Sequence, residues 1–353
     1  MTKPLISLAA LFALVSPALA QDAPAAPSPN QIVAEAPVEE WLDIPAEDLL
    51  VMTLAPAPNG TGRTVVIQLM PEPFSQSWVD NIRTLARAQW YDGITVNRVQ
   101  DNYVVQWGDP NYDNPEADGA AKPLPEGLAE TNERDYVSEY PLETGGDSSY
   151  YPLSAVLRTS WIKGLVEQGS IPDKAQIREA LARQKGDSYA LETAYIEGWP
   201  VGMEAEFQPK HRDIAWPVHC YGMVGVGRNL APDAGTGAEL YTVIGHAPRH
   251  LDRNIALVGR IIEGIEHLSS LPRGKGQLGF YEDESKRVPI LTVRIASDLP
   301  GAERPAFEYL STEGATFARY AEARANRRDP FFNVPAGGAD ICNIPVPVRR
   351  VAD

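Results

Sequence analysis

The sequence predicts a mainly β protein in which short strands form a closed barrel or a sandwich. Short β-rich runs alternate with turns that contain Gly, Pro and Asn-Gly. Of the 353 residues, 44% are hydrophobic, which is enough material for a large core. No internal repeat or coiled-coil heptad competes with this interpretation. A closed sheet is favoured because closure removes exposed strand edges, which promote aggregation.

Residues 1–20 are typical of a secretory signal peptide. Lys3 precedes an apolar run over residues 5–15, and small residues occupy Ala18 and Ala20 at the end of the segment. The run is shorter than the roughly 20 apolar residues that a transmembrane helix needs. We therefore expect cleavage after Ala20 and secretion across the inner membrane into the periplasm, with no membrane insertion afterwards.

The mature chain begins with a predicted linker and then enters the barrel domain, assigned to residues 46–300. Residues 21–45 are rich in Ala, Pro and Glu and show no sustained hydrophobic period, which is typical of a linker. Strands are predicted over residues 49–54 and 64–69, on either side of a turn. After them we predict an amphipathic helix, with Ser75 or Ser77 as N-cap and one apolar face: Trp78, Ile82, Leu85 and Ala86.

A predicted insertion over residues 111–216 interrupts the barrel domain. Before it, strands are predicted over residues 94–99 and 103–107, joined by a tight Asp-Asn turn. The insertion is expected to be mostly loop and helix, with helix-like stretches over residues 153–168 and 174–184. Its composition leaves open an interaction with a partner protein of the cell envelope.

Strand patterns resume after the insertion and complete the barrel domain. They are predicted over residues 221–226, 240–244, 255–262 and 288–295. Residues 301–353 are predicted to form a C-terminal extension, with an amphipathic helix near 303–326 and a tail punctuated by Pro.

The charge balance argues against polyanionic partners. The chain carries 31 Lys+Arg against 47 Asp+Glu, a formal net charge of −16. Because such a surface repels phosphate backbones and anionic lipids, we expect neither nucleic acid nor an anionic membrane surface as a partner.

The cysteines and histidines give little support for redox or metal chemistry. Cys220 and Cys342 could form a disulfide in an oxidising compartment or remain two buried thiols, and they lack Cys-x-x-Cys spacing. His246 and His250 are four residues apart, but Pro248 lies between them, so a shared helical face is not expected. We therefore expect no metal and no cofactor.

Two segments resemble the signature of the cyclophilin-type prolyl isomerases. The first is Trp90-Tyr-Asp-Gly-Ile-Thr-Val-Asn-Arg, followed by Tyr103-Val-Val-Gln-Trp-Gly-Asp-Pro, where the family has Tyr-Asp-Gly, Phe-His-Arg and Gln-Gly-Gly-Asp. The second contains Gly222-Met-Val-Gly-Val-Gly-Arg-Asn-Leu, Gly237-Ala-Glu-Leu-Tyr-Thr-Val-Ile and Leu251-Asp, where the family has Gly-x-x-Ser-Met-Ala, Gly-Ser-Gln-Phe-Phe-Ile and Leu-Asp. Order and spacing agree over a little under half the chain, residues 49–110 and 217–300. The resemblance implies a closed eight-stranded barrel with flanking helices.

The resemblance also implies the site residues. Arg98 and Gln106 match the family's catalytic arginine and its substrate-binding glutamine, and we assign both to catalysis. Other substrate-binding positions are Tyr103, Val104, Met223, Glu239, Tyr241, His250 and Leu251. This chain departs from the family pattern at Asn97, Glu239, His250 and Ile255, where the family has His, Gln, Trp and His. The implied activity is isomerisation of X-Pro bonds in proline-containing polypeptides, without a cofactor.

An arginine near a bound proline suits this chemistry. An X-Pro bond rotates over a barrier of about 18–20 kcal/mol because amide resonance must be lost. A guanidinium that donates to the proline nitrogen stabilises the twisted state, and an apolar pocket strengthens that interaction. Two alternatives stay open: a catalytically weak or inactive module that binds proline segments as a chaperone, or Arg98 in a surface ion pair with Tyr103 and Tyr241 as core aromatics.

Overall fold

The structure, a computed structural model, describes residues 26–112, 117–139, 150–151, 153, 187–204, 214–334 and 337–351. Its helices are α1 (Pro29–Ala34), α2 (Gln76–Arg87), α3 (Glu266–Ser269) and α4 (Ala315–Ala325). Its strands are β1 (Trp41–Asp43), β2 (Leu49–Leu54), β3 (Arg63–Leu69), β4 (Thr95–Val99), β5 (Val104–Gly108), β6 (Ser138–Glu139), β7 (Tyr150–Tyr151), β8 (Glu192–Ile196), β9 (Trp199–Glu204), β10 (Ile214–Pro217), β11 (Met223–Val226), β12 (Leu240–Val243), β13 (Leu257–Glu263), β14 (Val288–Ile295), β15 (Phe307–Leu310) and β16 (Val348–Arg350). Within the described ranges, no helix has the length and apolar character that a membrane crossing needs.

Eight antiparallel strands form a closed barrel, which confirms the predicted fold class. The order around the wall is β11, β12, β5, β4, β14, β2, β3 and β13, and β13 pairs with β11 to close it. Strand alternation explains the two faces of the wall. Leu50 and Met52 belong to the main core, whereas Leu49 belongs to a second cluster with Ile44 and Phe307. Both faces of β2 are therefore covered by apolar residues.

Helix α2 packs its apolar face into the core, as its pattern predicted. Trp78, Ile82 and Leu85 are fully buried. Ser75 occupies the N-cap at φ 55°, but its side chain makes no capping bond. The indole of Trp78 instead donates to the carbonyl of Gly235 at 2.9 Å, which fixes the loop that leads into β12.

The linker prediction is wrong for residues 28–43. Ser28 and Gln31 form a capping box at the start of α1, and Pro29 fits the first helical turn, where its missing N–H costs nothing. Helix α1 packs on α4, and β1 pairs with β15. The Pro-rich composition therefore conceals a short helix and a strand, while residues 21–25 lie outside the described residues.

The described part of the insertion forms a sheet, which the expectation of loop and helix missed. Its order is β6, β10, β9, β8 and β7. Strands β8 and β9 are joined by Glu197 and Gly198, both with positive φ, as a two-residue hairpin requires. The Glu-Gly pair between two β-rich runs was a usable signal. The predicted helix-like stretches lie outside the described residues, except for Leu153.

The C-terminal extension packs against the rest of the chain. The predicted helix near 303–326 is shorter, because α4 begins at Ala315 and the residues before it include β15. A three-stranded sheet has the order β1, β15, β16. Cys220 and Cys342 form a disulfide, with Cα atoms 5.1 Å apart, which ties the tail to the segment before β11.

Candidate active site

A pocket of about 340 Å³ opens on the barrel wall beside β4, β5 and β12. It brings together seven of the predicted site residues: Arg98, Tyr103, Val104, Gln106, Glu239, Tyr241 and Leu251. The remaining lining residues, none of which was assigned to the site from the sequence, are Tyr112, Gly227, Arg228, Asn229, Ile255, Leu278 and Phe280.

The hairpin of β4 and β5 positions the two residues assigned to catalysis. Arg98 and Gln106 face each other across the strand pair, just after a register shift between Val96 and Arg98. The turn between the strands contains Asn102 at φ 50°, a conformation that Asn tolerates better than most residues. The tight turn therefore sets the register that brings the two side chains together.

The guanidinium of Arg98 is held from three sides. Nη1 donates to Oε1 of Gln106 at 2.9 Å, Nη2 to Oε1 of Gln100 at 2.5 Å, and Nε to the carbonyl of Leu278 at 2.7 Å. The guanidinium carbon Cζ of Arg98 lies 5.9 Å from the ring centre of Tyr103. Burial lowers the pKa of Arg98, although it remains the cation because an arginine pKa starts so high. The side chain thus presents a fixed positive charge to the pocket.

Glu239 extends this network at the buried end. Its Oε2 accepts a hydrogen bond from Nε2 of Gln106 at 2.6 Å, so Gln106 bridges the carboxylate and Arg98. The carboxylate fits between two glycines, since a Cβ at Gly108 would lie 2.6 Å from its Oε1 and one at Gly227 would lie 2.9 Å from its Cβ. The negative charge favours the protonated form of Arg98 and opposes the effect of burial on its pKa.

The opposite side of the pocket rests on Tyr241, whose ring is almost fully buried. Its hydroxyl meets Nε2 of His219 at 2.9 Å, and Nδ1 of His219 meets Oδ1 of Asp252 at 2.9 Å. Burial raises the pKa of Tyr241 well above its ordinary value and lowers the pKa of His219. A neutral imidazole with its proton on Nδ1 satisfies both partners.

Sequence reasoning missed the residues behind Tyr241 and those of the loop above Arg98. Asp252 stands in the Leu251-Asp match but was given no role there, and no spacing connects it to His219, which lies 33 positions earlier. Leu278 and Phe280 come from the loop before β14, where Arg98 and Phe280 form an isolated β-bridge. Gly274 and Gly279 in that loop were the available signal, because they mark a tight turn.

Two predicted substrate-binding residues do not line this pocket. His250 is exposed at its edge, where its ring stacks on Tyr103 with centroids 6.5 Å apart. Met223 is buried and lines a second cavity of about 440 Å³ with Cys220 and Arg260. In the part of the chain that the structure describes, no cluster of three or more His, Cys, Asp or Glu side chains could hold a metal ion.

Comparison with known proteins gives the family. The model of the cyclophilin type peptidyl-prolyl cis-trans isomerases matches residues 59–297. The chain belongs to this family. Membership assigns it to the peptidyl-prolyl cis-trans isomerases, the enzyme class that the resemblance implied. No curated protein matches the chain.

A solved cyclophilin structure shows the same fold. The crystal structure of the cyclophilin AquaCyp293 from Hirschia baltica matches with a TM-score of 0.58 and 18% identity, over 91% of this cyclophilin and 96% of that chain. A cyclophilin type peptidyl-prolyl cis-trans isomerase from Cryptosporidium parvum matches with a TM-score of 0.33 and 11% identity, over 70% of this chain and 96% of that one. The latter was also solved in the presence of the dipeptide Ala-Pro, with 10% identity over 70% and 97% of the two chains and a TM-score of 0.33.

Proposed function

We propose that this cyclophilin isomerises X-Pro bonds of secreted proteins during their folding, and that it works in the periplasm. The signal-like character of residues 1–20 supports export. The disulfide between Cys220 and Cys342 suits an oxidising compartment. The proposed substrates are therefore extended proline-containing segments of proteins that have crossed the inner membrane.

The observation that carries the proposal is the placement of Arg98 at the pocket. Its three bonds to described residues use one N–H on each nitrogen, which leaves a second N–H on Nη1 and on Nη2 for a substrate. A proline ring that packs on Val104 and Leu251 brings its own nitrogen and the preceding carbonyl towards this guanidinium. Gln106 holds the guanidinium in place and offers its amide to the peptide backbone.

The reaction needs no nucleophile, because no covalent bond is broken. In the twisted state the proline nitrogen regains a localised lone pair, which accepts a hydrogen bond better than the planar amide does. An arginine N–H that donates to this lone pair stabilises the twisted state more than the ground state, which is the condition for catalysis. Each reduction of the barrier by about 1.4 kcal/mol raises the rate about tenfold.

A refolding experiment tests the proposal on protein substrates. A secreted protein whose slow phase is limited by an X-Pro bond is refolded with the wild type, with Arg98→Ala and with Arg350→Ala. Arg350 is the matched control because it pairs with Glu263 outside the pocket. We expect the wild type and Arg350→Ala to shorten the slow phase and Arg98→Ala to leave it nearly unchanged. An unchanged slow phase with the wild type contradicts a folding role.

Cell fractionation tests the compartment. Cells that express the full chain should contain a periplasmic protein whose mass corresponds to a start at Gln21, whereas deletion of residues 2–20 should leave it in the cytoplasm. A full-length protein in the cytoplasm contradicts the proposed location.

A second candidate function is a weakly catalytic module that binds proline segments. The bond between Gln106 and Glu239 favours it, because the carboxylate takes one of the two N–H groups of the amide that would bind the peptide backbone. Saturable binding of a proline peptide, together with an unchanged rate of isomerisation, would select this function.

A further inference from the structure

A row of buried polar side chains leads from the pocket to the insertion. Tyr241 meets His219 at 2.9 Å, and His219 meets Asp252 at 2.9 Å. Oδ2 of Asp252 accepts from Nε of Arg249 at 2.6 Å. The two Nη atoms of Arg249 donate to the carboxylate of Asp187 at 2.6 and 2.9 Å. We refer to these five residues as the Tyr241–Asp187 chain.

Burial makes every link of the Tyr241–Asp187 chain costly to lose. The side chains of His219, Asp252, Arg249 and Asp187 are 1%, 2%, 3% and 6% exposed. A buried polar group that loses its partner costs about 1–3 kcal/mol, and a buried charge costs more. Arg249 donates hydrogen bonds to two carboxylates, and the half-exposed carboxylate of Asp340 lies 3.9 Å from its Nη1. The removal of Asp187 or Asp252 therefore leaves the guanidinium only partly compensated.

The chain also fixes where the pocket ring can lie. The hydroxyl of Tyr241 passes so close to β11 that a Cβ at Gly225 would lie 2.3 Å from it. The backbone N–H of His219 donates to Oδ1 of Asp252 at 3.0 Å, so the imidazole is anchored at its backbone and at its ring. With the hydroxyl bound to a fully buried imidazole, the ring of Tyr241 has one position against the pocket.

We propose that Asp187 is a positioning residue of the proline pocket. It acts through Arg249, Asp252 and His219 to hold the ring of Tyr241, against which the substrate packs. Residue 187 belongs to the insertion and does not line the pocket, so this part of the insertion contributes to peptide affinity without touching the peptide. This inference rests on the proposed function, because it assumes that the pocket receives a proline segment.

Peptide affinity tests the proposal. The dissociation constant of an Ala-Ala-Pro-Phe tetrapeptide is measured by NMR titration for the wild type, Asp187→Ala and Glu204→Gln, and KM and kcat are measured for its isomerisation. Glu204 is the matched control, because it links the insertion to Arg253 at 2.9 Å, beside Asp252, yet lies outside the chain. We expect Asp187→Ala to raise the dissociation constant and KM about fivefold to tenfold with kcat nearly unchanged, and Glu204→Gln to change neither.

A spectroscopic signal reports on the chain without isomerase activity. In protein labelled with ¹⁵N at histidine, the imidazole of His219 should show a neutral ring with its proton on Nδ1. Tyr241→Phe should shift the Nε2 signal, and Asp187→Ala should shift both signals through Asp252. Unchanged His219 signals together with unchanged peptide affinity in Asp187→Ala overturn the positioning role. A wild type that binds the peptide but does not isomerise it overturns the proposed function instead.

The milder variant Asp187→Asn keeps the proposal testable if Asp187→Ala fails to fold. It preserves the shape of the side chain and removes the charge that Arg249 binds. Its effect on peptide affinity should disappear in a Tyr241→Phe background, because the hydroxyl through which it acts is gone. Additive effects of the two substitutions would overturn the proposal.

Discussion

The two sides of the pocket use their polar groups differently. We call Arg98, Gln106 and Glu239 the arginine wall, and Tyr241, His219 and Asp252 the tyrosine wall. In the arginine wall, Arg98 and Gln106 are half-buried and point donors at the pocket, whereas His219 and Asp252 of the tyrosine wall are buried behind an aromatic ring. In the proposed function, the arginine wall therefore donates to the X-Pro bond, and the tyrosine wall fixes the surface on which the proline packs.

The largest effect is expected where the tail meets the tyrosine wall. The sulfur of Cys342 lies 3.9 Å from the carbonyl of His219. The chain-entropy model gives about 4–5 kcal/mol for a disulfide that closes a loop of this length. The variant Cys220→Ser/Cys342→Ser should lose about this much free energy of unfolding in urea titrations, and reduced wild type should lose the same. A loss below about 1 kcal/mol would contradict the role of the disulfide.

A smaller effect is expected from Gly225→Ala, which adds a side chain on β11 that would clash with Tyr241 of the tyrosine wall. The added Cβ would lie 2.3 Å from the hydroxyl of Tyr241, so the ring must move. Overpacking of this kind costs about 1–3 kcal/mol. Peptide affinity should fall about tenfold, while Gly301→Ala, where a Cβ meets nothing within 4 Å, should leave it unchanged. Equal affinities for the two variants would show that the ring has more than one position.

The next largest effect is expected in the pH dependence of the free energy of unfolding, to which His219 of the tyrosine wall contributes. Burial lowers the pKa of His219 below its ordinary 6.5, against the opposing effect of Asp252, and Arg249 and Tyr241 also face the ring. The unfolded chain therefore takes up a proton that the folded chain refuses. The contribution of neutral His219 to the free energy of unfolding is complete above about pH 6.5. It is lost as the pH falls below this value, by at most about 1.4 kcal/mol per pH unit. Urea titrations from pH 7 to 5 should show that the free energy of unfolding falls less steeply with pH in His219→Gln than in the wild type. Identical slopes for the two proteins would exclude His219 as the origin of the pH dependence.

The smallest of these effects is expected from Glu239→Gln, the loss of one charge in the arginine wall. Glu239→Gln keeps an acceptor for Gln106 but removes the negative charge that partly neutralises Arg98. We expect kcat/KM to rise about twofold to fivefold, a change of about 1 kcal/mol or less. Glu263→Gln, which changes an exposed pair with Arg350, is the control. A tenfold loss in Glu239→Gln would mean that the carboxylate itself is required.

The barrel strands could be predicted from the sequence because their signals are local, and the arginine wall because its residues lie in segments that resemble the family signature. Alternating apolar residues and turns mark each barrel strand, and Arg98 and Gln106 lie eight residues apart on one hairpin. The tyrosine wall could not be predicted beyond Tyr241. Within it, His219 contacts Asp252 across 33 positions, and behind it Arg249 of the Tyr241–Asp187 chain contacts Asp187 across 62. No spacing rule connects such pairs.

The other misses have related causes. Composition alone made residues 21–45 a linker, although Ser28, Gln31 and Trp41 give the segment a cap and a buried anchor. Met223 was assigned from a matching run of residues, but a match along a strand does not say which cavity each side chain lines. Tertiary packing determines both whether the N-terminal segment is ordered and which cavity Met223 lines.

Exchange spectroscopy on a proline tetrapeptide tests whether Arg98 in this pocket catalyses X-Pro isomerisation. The rates of cis-to-trans exchange are measured with catalytic amounts of wild type, Arg98→Ala and the control Arg350→Ala. We predict that Arg98→Ala loses about 100-fold in kcat/KM, as expected for a donor that acts on the transition state, while the control keeps the wild-type rate. Equal rates for the wild type and Arg98→Ala would contradict the assignment.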